Sequence, residues 1–121
     1  MPTGELQTDV RERDGIAVID LTGDVNASGE RTLEAAYALA TTGGARAVAL
    51  NFERAEYINS TGIALIVGLL AQARASGIEM RAFGLSDHYR EIFEITRLAD
   101  FMTIADDEDR AFEGAEGGHR A

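Results

Sequence analysis

Several things are missing or scarce in this sequence. Cysteine is absent, which removes both a disulfide framework and thiolate chemistry and suits a reducing compartment such as the cytoplasm. Lysine is absent too, since all eleven basic side chains are arginine. A phosphate-cradling loop of the form G-x-x-x-x-G-K-S/T therefore has no lysine to supply. There is no tryptophan, one proline and two histidines, His88 and His119. No apolar run approaches the ~18 residues needed to cross a bilayer, and the opening MPTGELQTDVRERDG has no apolar signal core. Membrane insertion is not expected.

What is present describes one ordinary domain. The chain has 121 residues, 45% of them hydrophobic, enough for a single core without staples. Its 21 acidic residues outweigh the 11 basic ones, giving a net charge of −10. Such a surface repels phosphate backbones and anionic membranes, so direct nucleic-acid binding is disfavoured. The charge either serves solubility or meets a basic patch on a protein partner.

The hydrophobic pattern alternates between two periods. Leu6, Thr8 and Val10 alternate with Gln7, Asp9 and Arg11 as a half-exposed strand. Asp14-Gly15 is a hairpin turn signal, and Ile16 to Leu21 follows as a second strand, broken at Thr22-Gly23-Asp24. Leu33, Ala36, Tyr37 and Ala40 recur at helical spacing from about Ser28 to Thr41, with Asn26 or Ser28 as cap and Gly43-Gly44 as stop. Ala47 to Phe52 reads as a central strand and Glu53 to Tyr57 as a polar connection. Thr61 to Ser76 reads as a helix, more deeply buried than the first, ending at Gly77. A strand at Ile78 to Phe83, a short helix capped by Ser86, a strand at Met102 to Ala105 and a helix capped by Asp106 complete the chain. Asp106 to Asp109 reads as a solvated helix start rather than a metal site, and no cofactor motif is found. The order ββαβαβαβα implies an α/β fold with a mixed, mostly parallel sheet of about five strands and the N-terminal strand on an edge. Residues 1–113 form the domain and 114–121 a Gly-rich polar tail.

The stretch Asn59-Ser60-Thr61-Gly62 places two hydroxyls between a strand and an apolar helix. Either can cap the helix, a contribution of about 1 kcal/mol. Asn59-Ser60-Thr61 also matches a glycan acceptor, which would require secretion. A nucleophile elbow wants G-x-S-x-G, and a triad wants a histidine base; here His88 lies on a surface helix and His119 in the tail. A response-regulator receiver domain has a similar alternation, but needs a lysine near its end. Finally, Ser60 could carry a phosphoryl group, favoured by the positive end of the helix.

Over residues 6 to 112 the chain resembles the STAS domain family, and within it the free-standing anti-sigma factor antagonists of bacteria. The resemblance is carried by AVIDLTGDVNAS at 17–28, by AVALNFERAEYINSTGIALIVGLLAQARASGIEMRAFGLS at 47–86, and by YREIFEITRLADFMTIADDEDRAF at 89–112. The N-S-T-G at 59–62 is similar to the family's D-S-S-G signature. The resemblance implies helices largely on one side of the sheet and a binding protein, not an enzyme. It further implies that the unphosphorylated form captures an anti-sigma factor that is also a serine kinase, that this kinase phosphorylates Ser60, and that a PP2C-type phosphatase reverses the step. The partner surface is then expected at Asn26, Asn59, Ser60, Thr61 and Gly62. An accessory role beside the ATPase of a lipid-transporting ABC complex is the other role the family offers. In two places the family's usual Asp is replaced, by Asn59 before the serine and by Asn26 after the second strand.

Overall fold

The computed structural model describes residues 4–113; the tail expected at 114–121 and His119 lie outside the described residues. Strand β1 (Gln7–Arg13) turns at Asp14-Gly15 into β2 (Ile16–Val25). The turn residues have φ of 54° and 82°, the pair of positive values a two-residue hairpin requires. Helix α1 (Glu30–Thr42), strand β3 (Ala47–Ile58), helix α2 (Ser60–Ala75), strand β4 (Glu79–Phe83), helix α3 (Asp87–Ile95), strand β5 (Thr103–Ala105) and helix α4 (Glu108–Ala111) follow. Strands lie in the sheet in chain order, β1-β2-β3-β4-β5. The first pair is antiparallel and the rest are parallel, so β1 is an edge strand as expected.

Helices α1, α2 and α3 cover one face. Leu33, Ala36, Tyr37 and Ala40 of α1 pack with Ile66, Leu69, Leu70 and Ala73 of α2 and Phe93 of α3 over Ile19, Leu21, Val48 and Leu50. Each large side chain buried there contributes about 1.5–3 kcal/mol. On the opposite face, among the described residues, α4 alone of the helices packs: Ala111 and the following Phe112 cover Ile16, Val18, Ala47, Ala49 and Phe83.

Two strands are longer than their patterns indicate. Strand β2 does not break at Thr22-Gly23-Asp24 but runs to Val25 through two irregularities of register, with Gly23 at φ 99°. Glu53 to Tyr57 is not a connection but the second half of β3. Strand β4 pairs only with Ala47 to Asn51 and β1 leaves β2 at Thr22, so past these points β2 and β3 continue as a two-stranded ribbon. Residues 53–57 are exposed apart from a half-buried Ala55, so no alternation of covered and open positions marks the strand.

The start of α4 also differs. Asp107, not Asp106, is the cap, accepting the Arg110 N–H at 2.8 Å, while Asp106 pairs with Arg90. Nor is the acidic run merely solvated. Glu108 accepts from Arg11 at 2.8 Å and from Arg13 at 3.0 Å, and Arg11 also holds Asp20 at 2.8 Å. Asn51 donates to the same Asp20 at 2.8 Å. These charge-assisted bonds fasten α4 to β1 and β2. The hydrogen bond from Arg11, helped by Arg13, holds the Glu108 carboxyl down to about 2 against the opposing effect of burial. Burial alone would raise Asp20, but the bonds from Arg11 and Asn51 prevail and lower it.

Candidate functional site

The site forms where β2 and β3 end. Val25 and Ile58 are register partners, so the residues that follow, Asn26 and Asn59, emerge side by side. The Asn59 N–H donates to the Val25 carbonyl at 3.2 Å. Helix α2 then leaves so close to β2 that a Cβ at Gly62 would lie 2.0 Å from the Val25 carbonyl oxygen. Only glycine permits that approach. Gly62 is buried, so its part is to set the position of α2 rather than to offer a contact.

Both asparagines are caps. Asn26 Oδ1 accepts the Ser28 N–H at 3.0 Å and the Ser28 hydroxyl at 2.7 Å, starting a 3-10 turn at Ala27–Gly29 that leads into α1. Asn59 Oδ1 accepts the Gly62 N–H at 2.8 Å. Capping, one of the roles open to Ser60 or Thr61, thus belongs to Asn59, and α2 begins at Ser60 rather than Thr61. Ser60 and Thr61 are both exposed. Ser60 stands at the first helical position, where backbone N–H groups have no partner within the helix.

The first turn of α2 contains no acidic side chain. The first turns of α1, α3 and α4 do, with Glu30, Asp87 and the pair Glu108 and Asp109. The positive end of α2 is therefore not offset from within the helix, which makes it the most receptive of the four to an added anion.

The helix behind Ser60 is less buried than its composition indicates. Its inner side carries Ile66, Leu69, Leu70 and Ala73. Ala64 and Val67, four and seven residues after Ser60 and hence on the same face, are exposed, Val67 to 45%. Tyr57, two residues before the cap, is 55% exposed. Ser60, Ala64 and Val67 thus make a stripe with one hydroxyl at its end. Ala64, Val67 and Tyr57 escape sequence reasoning because an exposed apolar residue reads the same as one in the core.

One more residue holds the site. The Tyr89 hydroxyl, on α3, accepts the Ile58 N–H at 3.0 Å. Strand β4 has ended by then, and this hydroxyl takes the place of the missing ladder bond. His88, considered as a base, is exposed with its ring against that of Tyr89, centroids 4.9 Å apart.

Known proteins share this fold. The family model described as STAS domain matches residues 7–111. BtrV of Bordetella bronchiseptica, a protein named as an anti-sigma factor antagonist, is 32% identical over 98 residues, covering 81% of this chain and 84% of its own. The structure of the anti-sigma factor antagonist SpoIIAA in its unphosphorylated form matches with a TM-score of 0.70 at 21% identity, over 93% of this chain and 98% of its own. The phosphorylated form of Bacillus SpoIIAA matches with a TM-score of 0.66 at 23% identity, over 88% and 96%. With a family match spanning nearly all the described residues, the chain belongs to the STAS domain family.

Proposed function

We propose that this chain is an anti-sigma factor antagonist, a binding protein rather than an enzyme, switched by phosphorylation of Ser60. Its unphosphorylated form captures an anti-sigma factor with serine-kinase activity in the cytoplasm and so frees a sigma factor. The kinase phosphorylates Ser60, and a PP2C-type phosphatase restores it. The relatives named as anti-sigma factor antagonists support the role. The observation that carries the choice of residue is the exposed Ser60 at the start of α2, with the capping role already taken by Asn59 and no acid in the first turn.

The physical switch follows from the stripe behind Ser60. Val67, Ala64 and Tyr57 favour a partner by being removed from water. A phosphoryl group adds about −1.5 to −2 charges beside that surface. The free chain tolerates the dianion, because the helix end and solvent stabilise it. In the complex, the dianion must be desolvated against apolar groups, so the partner is expelled without refolding. Asn26, Asn59 and Thr61 border this surface.

The test uses the purified chain with its cognate kinase-type anti-sigma factor and ATP, read by peptide mass spectrometry. Label on the peptide containing Ser60 is expected, and label confined elsewhere rejects the switch. In a pull-down or titration, Ser60→Ala is expected to bind as the native chain does. Ser60→Asp is expected to bind at least about tenfold more weakly, a difference of about 1.4 kcal/mol.

A further inference from the structure

The edge of the sheet away from β5 is the outer side of β1, seven residues long and in unbroken register with β2. Edge strands are usually guarded by charged side chains, proline or a bulge; β1 has no proline and no bulge, and its guard is the charges of Asp9, Arg11, Glu12 and Arg13. The two-residue turn makes Arg13 and Ile16 a hydrogen-bonded pair. The odd residues of β1 therefore bond to β2, and the N–H and C=O groups of Thr8, Val10 and Glu12 point outward.

We propose that this edge pairs with a second copy of the chain, the two β1 strands running antiparallel about Val10 and joining two five-stranded sheets into one. A two-fold axis normal to the sheet allows only pairings in which even residues face even and odd face odd. Centring on Asp9 sets Asp9 against itself; centring on Arg11 sets Arg11 against itself. Centring on Val10 sets Asp9 opposite the partner's Arg11, Thr8 opposite the partner's Glu12, and Gln7 opposite the partner's Arg13. That register contains no like-charge pair, and it joins all three outward-facing residues of each strand in hydrogen-bonded pairs. Within the chain Asp9 lies directly across from Asp20, a like-charge pairing that a guanidinium alongside relieves. Arg11 already holds Asp20 and Glu108, so the selection against the Asp9 and Arg11 registers comes mainly from the absence of repulsion; centring on Thr8 also avoids repulsion but pairs only residues 7–9 of β1.

A groove of mixed lining adjoins this edge, with Arg11, Glu12 and Arg46 among its walls. Val10, Leu39 and Ala40 also line this open groove of about 490 Å³ between β1 and the end of α1, and Leu39 is 64% exposed. Pairing brings the two Val10 side chains together, with a Leu39 on either side. The Ser60 surface lies past the C-terminal ends of β2 and β3, whereas Val10 pairs with Ile19 in mid-strand. The assembled pair therefore offers two capture surfaces at once.

The test begins with sedimentation of the full chain at concentrations up to about 1 mM, where even an interaction of about −4 kcal/mol is visible. A concentration-dependent dimer is expected. Val10→Pro removes an outward N–H without taking a bond from β2, and is expected to sediment as a monomer with native circular dichroism. Because the chain has no cysteine, single introduced thiols report the register. Across the axis, the two copies of residue 10 lie about 5.5 Å apart, within disulfide reach. The two copies of residue 8 are offset by four positions, about 13 Å. Val10→Cys is expected to cross-link on mild oxidation and Thr8→Cys to remain single. A monomer at every concentration, a dimer that survives Val10→Pro, or equal cross-linking at both positions would overturn the proposal.

Discussion

Asn59 and Ser60 divide two tasks that one hydroxyl at a helix start often combines. With Asn59 Oδ1 bound to the Gly62 N–H, Ser60 is free to be modified without loosening the helix. Asn59→Ala should therefore lower stability by about 1 kcal/mol, whereas Asn59→Asp, an equally good cap, should leave it nearly unchanged; urea denaturation monitored by circular dichroism measures both. The neutral caps also matter for the modified form. Asn26 and Asn59 stand beside each other without charge, so a phosphoryl on Ser60 meets less repulsion than two aspartates would give it. In the double variant Asn26→Asp with Asn59→Asp, phosphorylation is expected to lower the melting temperature more than in the native chain. Equal shifts in both backgrounds would reject that account. At this scale the N-S-T-G stretch marked the place, since glycine, small hydroxyls and an amide between two apolar runs indicate a helix start. Which side chain caps was not legible, because Asn, Ser and Thr are all good caps and only the close contact of Gly62 with Val25 decides the geometry.

The ribbon formed by the far halves of β2 and β3 carries the site beyond the part of the sheet that β4 supports. Its outer edge is held at Ile58 by the Tyr89 hydroxyl. Removing that hydroxyl strands a partly buried N–H, so Tyr89→Phe should cost about 1–3 kcal/mol. Amide hydrogen exchange should quicken at Ile58 and Asn59 while the protected amides of Val48 and Leu50 stay slow. Uniform acceleration across β3 would instead indicate a global loss. The ribbon was the least legible element, since strand periodicity needs a covered face and an open one, and residues 53–57 are open on both faces save for a half-buried Ala55. Helices α1 and α3 were easier because one face of each is apolar and the other polar. Helix α2 was recognisable as a helix, but its uniformly apolar composition concealed which side faces solvent.

For the molecule as a whole, the alternation of strand and helix periods was enough to indicate the architecture, and the hairpin signal at Asp14-Gly15 put β1 on its edge. The clamp between α4 and the first two strands was not legible, because its members are separated by up to 97 residues. It should govern acid stability. Glu108 falls from its ordinary 4.5 to about 2 in the fold, and Asp20 is lowered as well. A carboxylate with a depressed folded value contributes fully above its unfolded value and loses that contribution as pH falls through the folded one. Arg11 is shifted upward and stays charged throughout. Stability should therefore decline between about pH 4.5 and 2, and Glu108→Gln should flatten that decline while lowering stability at neutral pH; denaturation midpoints across the range measure both.

Because spatial neighbours in the sheet are also neighbours in sequence, a chain emerging from the ribosome meets each strand's partner already laid down. The Arg11 and Arg13 bonds to Glu108, and the cover that Ala111 and Phe112 give Ile16 and Val18, must await residues made about 90 positions later. A translation intermediate stalled with Glu108 still inside the exit tunnel could pair β1, β2 and β3 in order while Arg11 and Arg13 stayed open to solvent.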